Sequence, residues 1–464
     1  MKIPRVVIAA PGSDHGKTSV VTGLLGALRQ RGLAVSPHKV GPDYIDPGYH
    51  AVAAGRPGRN LDPWLVGEDQ IVPMFVHGAA TPALAYIAIV EGVMGLSDGA
   101  SSHGDFASTA HVARLLGAPI VLVVDAAGFG SSAAALLHGF ATYDSRLSIG
   151  GVIFNKVGSA YHEELLRDAA AAAGVPVLGA IRRLDQLTVP SRHLGLIPAA
   201  ELGGDATAAV GALTAIVAAA VDLDAVLRLA RTASALPDAA YQPHDSERPL
   251  VPGPGPRIAV AGGAAFTFGY AEHPELLAAA GADVVTFDPL RDEQLPDDVH
   301  GLVIGGGFPE EHAGDLSANA SLRAAVADLA ASGAPVIAEC AGLLYLARSL
   351  DGHPMCSVLG VDAVMTGQLT LGYRDAVAAT SSPLAPAGTR AHGHEFHRTG
   401  LGPGGSPANA WRWTARGTDV TEGFVRGRVH ASYLHTHWNG VPGAASRITA
   451  AAREYREAAT DARS

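Results

Sequence analysis

The sequence predicts two α/β domains, each a parallel β-sheet covered by helices, joined by a proline-rich linker. Short Val/Ile-rich runs such as "APIVLVVDAA" (118–127) and "HGLVIGGG" (300–307) alternate with Ala/Leu-rich stretches of helical length, which is typical of buried parallel strands. Between about 231 and 256, repeated prolines exclude regular helix and indicate a linker. At 464 residues, the chain is also too long for one ordinary hydrophobic core.

These observations set the expected domain boundaries. A new strand, "RIAVAGG", begins at 257. We therefore expect a first domain at 1–230, a linker at 231–256, a second domain at 257–450 and a C-terminal tail at 451–464. The longest nearly apolar run, 206–221, is too short to span a bilayer comfortably, so it predicts a buried helix.

Charge and cysteine content limit the partners and the compartment. The chain has 33 basic and 44 acidic side chains, and this net charge of −11 argues against nucleic acid or an anionic membrane as a general partner. Two cysteines, Cys340 and Cys356, are too few for a disulfide framework and suit a reducing cytoplasm. The start, "MKIPRVVIAAPG", enters a strand at once and lacks the layout of a signal peptide, so we expect a cytoplasmic protein.

A nearly complete phosphate-binding motif follows the first strand. "PGSDHGKTSV" (11–20) departs from G-x-x-x-x-G-K-[ST] by having Pro11 in place of the first glycine, but it keeps the strand, loop and helix context of that motif. We expect Lys17 to reach the β- and γ-phosphates of ATP and Thr18 to hold Mg²⁺. The other expected ATP contacts of the loop are Asp14, His15 and Gly16.

Two acidic clusters follow other strands of the first domain. "KVGPDYIDPGYH" (39–50) contains Asp43 and Asp46, and "YIAIVEGVMGLSDG" (86–99) contains Glu91 and Asp98. Ligands bind at the carboxyl ends of parallel strands, so these carboxylates are candidates to hold Mg²⁺ or orient a substrate. The alternative for Asp43 and Asp46 is a pair of turn residues that cap the following helix.

The second domain carries a candidate nucleophile. "GAPVIAECAGLLYLA" (333–347) places Cys340 at a sharp turn between a strand and a helix, and the helix end is expected to lower the pKa of the thiol. The pattern G-x-C-x-G is half met, with Ala338 in place of its first glycine. Glycines in "VIGGGFPEE" and the N–H of Ala341 are expected to form an oxyanion hole, with Gly306 and Gly307 as the glycine donors.

The base that would activate Cys340 must come from a distant segment. "HASYLHTHW" (430–438) offers His430, His435 and His437. Cys356 lies outside any strand-to-helix turn and is expected to fill the core. "HGHEFH" (392–397) resembles metal spacing, but no suitable fourth ligand follows it, so we do not expect a metal there.

Taken in order, "KVGPDYIDPGYH", "EGVMGLSDG", "GVIFNKV" and "SRHLGLIP" behind a GKT loop resemble the cobyrinic acid and hydrogenobyrinic acid a,c-diamide synthase family. The second domain, with "FDPLRDEQLP", "GHEFH" and "SYLHTHW", resembles the amidotransferase domain of the same family. The resemblance implies a P-loop NTPase-like domain of the dethiobiotin synthetase type and a class I glutamine amidotransferase-like domain. It also implies a ligase of cobalamin biosynthesis that amidates the a and c carboxylates of a corrin, using ATP, Mg²⁺ and L-glutamine, through acyl phosphates.

The same resemblance assigns roles to individual residues. Asn155 would read the adenine, and Asp43 and Glu91 would join Thr18 at the metal. The residues expected at the corrin are Lys39, Tyr44, Asp46, Asp98 and Arg192, with Arg59 as a further cation. The pattern Y-x-H selects His435 as the base. No acid stands two residues after His435, so a Cys/His dyad and a carboxylate from another segment both stay open.

Two other functions compete with this one. Cobyric acid synthase amidates other corrin side chains with the same two-domain plan, and "KVGPDYIDPGYH" speaks against it. A partition-type ATPase would share the P-loop, but such proteins carry an extra early lysine that "PGSDHGKT" lacks, and they have no use for Cys340. Corrins with and without cobalt both remain candidate substrates, and a homodimer is a candidate assembly.

Overall fold

The computed structural model describes residues 2–100, 104–183, 191–192, 195–237, 241, 254–402 and 408–461, without the side chains of 191, 192, 195 and 196. The chain divides into two compact units, Met1–Tyr241 and Gln242–Ser464. Most of the predicted linker lies outside the described residues. Both units are α/β structures, as the sequence predicts.

The first unit is built on seven parallel strands in the order β3-β2-β4-β1-β5-β6-β7. The strands are β1 (Arg5–Ala9), β2 (Val35–Val40), β3 (Arg59–Leu61), β4 (Ile87–Glu91), β5 (Ile120–Asp125), β6 (Ile149–Val157) and β7 (Val177–Arg182), with a separate short pair, β8 (Ser191–Arg192) and β9 (Gly195–Leu196). The helices are α1 (Lys17–Gln30), α2 (Asp46–Ala54), α3 (Pro63–Val66), α4 (Glu68–Ala80), α5 (Thr109–Leu115), α6 (Ala133–Tyr143), α7 (Ala160–Ala172), α8 (Ala199–Leu202), α9 (Gly204–Ala220) and α10 (Leu223–Ala230).

Strands β1 and β4 consist almost entirely of buried residues, because helices cover both faces of the sheet. Since β2, β4 and β1 are adjacent and parallel, the segments that follow them meet at one edge of the sheet. This edge therefore gathers the P-loop and both predicted acidic clusters.

The apolar run at 206–221 forms most of helix α9, as predicted, but only one face of the helix is buried, and this helix packs closely against α1. Two glycines of α1 allow this approach, because a Cβ atom at Gly23 would lie 2.3 Å from Val217 Cγ2 and one at Gly26 would lie 2.0 Å from Thr214 Oγ1. None of the helices in the described ranges is long and apolar enough to cross a bilayer.

The second unit contains a six-stranded sheet in the order β11-β10-β12-β13-β21-β20, parallel except for β20. A second sheet runs β15-β14-β16-β17-β22, with β18 paired to β16 and β19 paired to β18. The strands are β10 (Arg257–Ala261), β11 (Asp283–Phe287), β12 (Val299–Ile304), β13 (Val336–Glu339), β14 (Ser349–Leu350), β15 (His353–Pro354), β16 (Asp362–Ala378), β17 (Arg390–Leu401), β18 (Trp411–Ala415), β19 (Thr418–Glu422), β20 (Phe424–Arg426), β21 (Val429–Ser432) and β22 (His435–Thr436).

The helices of the second unit are α11 (Glu272–Ala279), α12 (Ala313–Ala318), α13 (Ala320–Ala331), α14 (Ala341–Leu346) and α15 (Ala444–Asp461), with short 3₁₀ turns at Pro309–His312 and Trp438–Gly440. Helix α15 runs through most of the segment 451–464 that the sequence analysis expects to be a C-terminal tail. It continues to Asp461 because its apolar face, including Ile448 and Ala452, is buried against the unit.

Candidate active site

The P-loop forms despite Pro11. Helix α1 begins at Lys17, after Gly16 adopts a left-handed conformation with φ +89°. Lys17 Nζ donates to the carbonyl oxygens of Gly12 at 2.9 Å and Met94 at 2.6 Å, so the ammonium is held at the loop. Burial and the nearby charge of Lys39 lower the pKa of Lys17, while the neighbouring carboxylates oppose this change.

Asn155 supports the loop from the end of β6. Its Nδ2 donates to the His15 carbonyl oxygen at 3.1 Å, and a Cβ atom at Gly16 would lie 2.3 Å from that nitrogen, so Gly16 is required by close packing as well as by φ. The structure thus gives Asn155 a loop contact, while its predicted adenine contact remains a prediction. Beside it, Lys156 Nζ pairs with Asp125 at 2.6 Å, and the Asp125 N–H donates to His15 Nδ1 at 2.8 Å.

Thr18, Lys39, Asp46 and Glu91 form one buried polar cluster. Thr18 Oγ1 lies 2.7 Å from Glu91 Oε1 and 3.1 Å from Asp46 Oδ2. Lys39 Nζ donates to the same two oxygens, at 2.8 Å to Glu91 and 2.6 Å to Asp46. The structure therefore joins residues that lie far apart in the sequence into one site beside the P-loop.

The two carboxylates of the cluster have opposite pKa shifts. Burial, followed by the charge of Asp43, raises the pKa of Asp46 well above its ordinary value. Burial also acts to raise the pKa of Glu91, but Lys39 and the hydrogen bond from His50 outweigh it and hold that pKa well below its ordinary value. Both carboxylates share the single ammonium group of Lys39.

His50 is a member of the site that the sequence analysis missed. Its Nε2 lies 2.7 Å from Glu91 Oε2, the oxygen that faces away from Thr18, and both side chains are fully buried. Asp46 and His50 are four residues apart on α2, so they share one face of that helix. This four-residue spacing could have identified His50 from the sequence, because it places His50 on the face of α2 that Asp46 presents to the cluster.

Asp43 plays the alternative role that the sequence left open. Its Oδ1 accepts from the N–H groups of Ile45 and Asp46, at 2.8 and 3.0 Å, at the start of α2. Its Oδ2 lies 3.7 Å from Lys39 Nζ. Of the two aspartates, Asp46 is the one that contacts Thr18, and the assignment of Asp43 to the metal stays a prediction.

The remaining predicted corrin contacts fall into three groups. Asp98 accepts from the Gly95 N–H at 2.9 Å and so shapes the loop after β4, and Tyr44 is 8% exposed at the start of the α2 segment. Arg59 is buried at 2% exposure under α4, near Gly78, and is not placed to meet a large substrate. The side chain of Arg192 is not among those that the structure describes.

In the second unit, Cys340 occupies the predicted turn between β13 and α14. Its φ of +50° is the strained conformation of a nucleophile elbow. The Cys340 N–H donates to the Ser432 carbonyl oxygen at 2.7 Å, and the Gly342 N–H donates to the Gly305 carbonyl oxygen at 3.0 Å. A Cβ atom at Gly342 would lie 2.2 Å from the Ile304 carbonyl oxygen, so this position requires glycine.

The acidity of Cys340 differs from the sequence expectation. Burial, followed by the charge of Glu310, raises the pKa of the thiol far above its ordinary value, although the Ala341 N–H acts to lower it as a helix end should. The cause is that Cys340 is only 3% exposed. Burial therefore favours the neutral thiol, which needs a base at the moment of attack.

The glycine loop after β12 provides fewer donors than expected. The Gly306 N–H donates to the Phe268 carbonyl oxygen at 3.0 Å, in a short antiparallel bridge. Gly306 could act as an oxyanion donor only if this bond were released, so its role in the oxyanion hole stays a prediction. Gly307 and Ala341 remain the candidate donors.

His435 lies against this loop. A Cβ atom at Gly306 would lie 2.4 Å from His435 Cε1, so the glycine makes room for the imidazole ring. His435 is 1% exposed, and burial, followed by the charges of His394 and His397, lowers its pKa well below the ordinary value. A neutral imidazole of this kind can accept a proton.

The other two histidines of this segment have structural contacts. His430 lies in β21, and its Nδ1 is 3.0 Å from Ser382 Oγ. His437 occupies the position two residues after His435, where the sequence analysis found no acid. Its Nε2 lies 3.6 Å from Glu272 Oε2, and both side chains are 1% exposed. Cys356 is buried in a loop that carries no elbow, as expected for core filler.

The three histidines of "HGHEFH" do not lie on one face of their strand. His392 and His394 share one face of β17, and His397 lies on the other, where it stacks on Tyr433 with 3.8 Å between ring centroids. Among the side chains that the structure describes, no group of three or more His, Cys, Asp or Glu could hold a metal ion.

The fold and the site define a two-domain class in which a P-loop nucleotide-binding domain is joined to a glutamine amidotransferase domain. Two family models match the chain accordingly: the CobQ/CobB/MinD/ParA nucleotide binding domain over residues 6–197, and the CobB/CobQ-like glutamine amidotransferase domain over residues 257–442. The chain belongs to the hydrogenobyrinate and cobyrinate a,c-diamide synthase family.

Three curated relatives support this statement. The hydrogenobyrinate a,c-diamide synthase of Streptomyces coelicolor is 58% identical over 96% of this chain and 97% of its own length. The enzyme of the same name from Mycobacterium bovis is 54% identical over 97% and 98%. The cobyrinate a,c-diamide synthase of a Synechococcus strain is 41% identical over 94% and 96%.

Proposed function

We propose that this protein is a glutamine-hydrolysing carbon–nitrogen ligase that converts the a and c carboxylates of hydrogenobyrinic acid to amides during cobalamin biosynthesis in the cytoplasm. The observation that carries the proposal is the presence, in one chain, of a P-loop carboxylate cluster and of a Cys340 elbow in the same unit as His435, which packs against the glycine loop at Gly306. We propose the cobalt-free corrin as the substrate, in place of cobyrinic acid, because the relatives named for hydrogenobyrinate are 50–58% identical to this chain. The relatives named for cobyrinate are 41–42% identical to it.

In the second unit, Cys340 Sγ attacks the side-chain carbonyl carbon of glutamine while His435 takes the thiol proton. The N–H groups of Gly307 and Ala341 stabilise the oxyanion. The carbon–nitrogen bond then breaks, and His435 returns the proton to the departing ammonia. Water hydrolyses the glutamyl thioester and frees the thiol.

In the first unit, a corrin carboxylate oxygen attacks the γ-phosphorus of ATP, ADP leaves, and an acyl phosphate forms. Lys17 stabilises the negative charge of the transferring phosphoryl group. Ammonia attacks the acyl carbon, its carbon–oxygen bond to phosphate breaks, and the nitrogen loses a proton. The amide and inorganic phosphate result, and the cycle repeats at the second carboxylate.

Mg²⁺ is the metal that this chemistry implies, and the residues of the cluster fit it. Thr18, Asp46 and Glu91 offer the hard oxygen donors that Mg²⁺ prefers, and the two carboxylates both lie within 3.1 Å of the Thr18 hydroxyl oxygen. When bound with ATP, Mg²⁺ would neutralise phosphate charge. Lys39 holds both carboxylates at the Thr18 hydroxyl, and His50 fixes the second oxygen of Glu91.

Two matched substitutions test this assignment. Glu91→Gln and Asp46→Asn keep shape but remove charge, so we expect corrin amidation to fall by about a hundredfold or more while glutaminase activity persists. Both variants should also need more Mg²⁺. Asp43→Asn is the comparison, and we expect it to lose less, because Asp43 caps the backbone instead of contacting Thr18.

The comparison across the three variants decides the assignment. Equal losses for Asp43→Asn and Asp46→Asn would contradict the choice of Asp46. A Glu91→Gln variant that matches the parent at every Mg²⁺ and ATP concentration would show that Glu91 is only structural.

The overall function is tested with both corrins. Incubation with hydrogenobyrinic acid, ATP, Mg²⁺ and glutamine should give a diamide identified by mass, and the product should disappear when any one of the four is omitted. Cobyrinic acid in the same assay measures the preference for the cobalt-free ring. ATP hydrolysis that no corrin changes, together with an absence of glutaminase activity, would favour a partition-type ATPase; amides at other side chains would favour a cobyric acid synthase.

A further inference from the structure

The segment 432–436, which carries His435, is tied at both ends by acidic side chains that have no part in the chemistry above. At its start, Ser432 Oγ donates to Glu422 Oε2 and the Tyr433 N–H donates to Glu422 Oε1, each at 2.6 Å. At its end, Thr436 Oγ1 donates to Glu339 Oε1 at 2.7 Å, and the Thr436 N–H donates to the same oxygen at 3.2 Å. The position of His435 therefore depends on these two carboxyl groups.

Glu339 is special because it directly precedes Cys340. Strand β13 pairs with β21 so that Glu339 stands opposite Ser432. The N–H of Cys340, the residue that follows β13, donates to the Ser432 carbonyl oxygen. The side chain of Glu339 then reaches Thr436, the residue after His435. One residue thus connects the nucleophile elbow with the strand of the base, and a shift of Thr436 would move His435 relative to Cys340.

An acid at this position is costly unless it is used. Glu339 ends an otherwise apolar strand, "VIAE", and is 7% exposed. Hydrogen bonds must therefore offset the free energy that burial of its carboxyl group costs. Burial raises the pKa of Glu339 to about 8, even though the two bonds from Thr436 act to lower it. Burial thus favours the uncharged carboxyl group, which can accept from Thr436 without placing an anion beside the Cys340 thiolate as it forms.

We propose that Glu339 is a positioning residue of the amidotransferase site: through its two hydrogen bonds from Thr436, it fixes His435 against Gly306, where the imidazole can take the proton of Cys340. The proposal rests on the function proposed above.

The first test compares Glu339→Leu with Glu339→Gln. The leucine variant loses the acceptor, so we expect kcat for glutamine hydrolysis to fall by about tenfold to a hundredfold, the scale of a small misplacement of a reacting group, with KM for glutamine near the parental value. The glutamine variant keeps an uncharged oxygen acceptor and should restore most of kcat. Diamide synthesis from ammonium salt should stay near the parental rate in both.

The second test uses the partner residue. Thr436→Val removes the hydroxyl donor but keeps the N–H, so we expect a smaller loss of kcat than in Glu339→Leu. In the double variant, Thr436→Val should cause little further loss, because the acceptor is already absent. Thr436→Ser keeps the hydroxyl and should behave as the parent, which supplies a comparison within the folded protein even if Glu339→Leu is unstable.

Parental kcat in Glu339→Leu, or a glutamine variant as impaired as the leucine variant, would overturn the proposal. Equal kcat for Thr436→Val and Thr436→Ser would do the same. A parent protein that does not hydrolyse glutamine at all would instead refute the proposed function, so the two failures are distinguishable.

Discussion

Cys340→Ser and His435→Ala should lose glutamine-dependent synthesis by about ten-thousandfold or more, the scale of removing a nucleophile or its base, and should still make diamide from a high concentration of ammonium salt at mildly alkaline pH. The reason is the division of chemistry between the units. The elbow and the base lie wholly in the second unit, and phosphoryl transfer needs neither. Free ammonia is appreciable at that pH and can replace the nitrogen that glutamine supplies.

The comparison is made between the two nitrogen sources in the same preparation. Cys356→Ser is the matched control, since it removes the other buried cysteine, and it should retain both activities. Loss of both activities in a well-folded Cys340→Ser variant, or retention of both, would show that the division of labour is wrong.

Lys17→Ala should abolish amidation with either nitrogen source, by about a thousandfold or more, because phosphoryl transfer loses a charge that stabilises its transition state. Lys17 is held at the P-loop by the carbonyl oxygens of Gly12 and Met94, so it is already placed at the loop before ATP arrives. Glutamine hydrolysis by the second unit should persist. The measurement is the initial rate of diamide formation with glutamine and with ammonium salt.

Lys156→Ala is the control for removing a lysine near the same loop. Its ammonium pairs with Asp125 and its side chain is 44% exposed, so we expect Lys156→Ala to keep most of the turnover that Lys17→Ala loses. Near-normal turnover in folded Lys17→Ala would refute the assignment of Lys17.

Local sequence signals were sufficient for the parts of the fold and site that local structure decides. The GKT loop between a strand and a helix, the apolar run of α9 and the elbow at Cys340 each depend on a short continuous stretch. Such stretches carry their own backbone requirements, such as the left-handed Gly16, and these can be recognised without knowledge of distant residues.

The sequence did not predict the residue roles and the pKa that depend on contacts formed only in the folded protein. Asp43 and Asp46 stand three positions apart, and only the start of α2 determines that one caps the helix while the other meets Thr18. The Gly306 N–H is taken by Phe268, nearly forty positions away. The thiol of Cys340 lies at a helix end, yet burial by the whole unit dominates its pKa. Nothing in the linear pattern reports these contacts.

Two further site residues, His50 and Glu339, could be found by looking for polar side chains in positions that the sequence predicts to be buried. His50 shares a helical face with Asp46, and Glu339 is an acid at the end of an apolar strand. Charged or polar groups in positions that the pattern predicts to be buried need partners, so both could be singled out as candidates from the sequence. Their partners, Glu91 and Thr436, could be identified only from the structure.

Transfer of a carboxylate oxygen to phosphate is the most direct sign that ATP activates the corrin itself. Hydrogenobyrinic acid labelled with oxygen-18 in its carboxylates, incubated with the protein, ATP, Mg²⁺ and glutamine, should release inorganic phosphate that carries the label, with one labelled oxygen for each amide formed. Mass analysis of the phosphate measures this transfer. Unlabelled phosphate accompanying normal diamide formation would contradict the acyl phosphate route, and unlabelled phosphate without any diamide would contradict the proposed function as a whole.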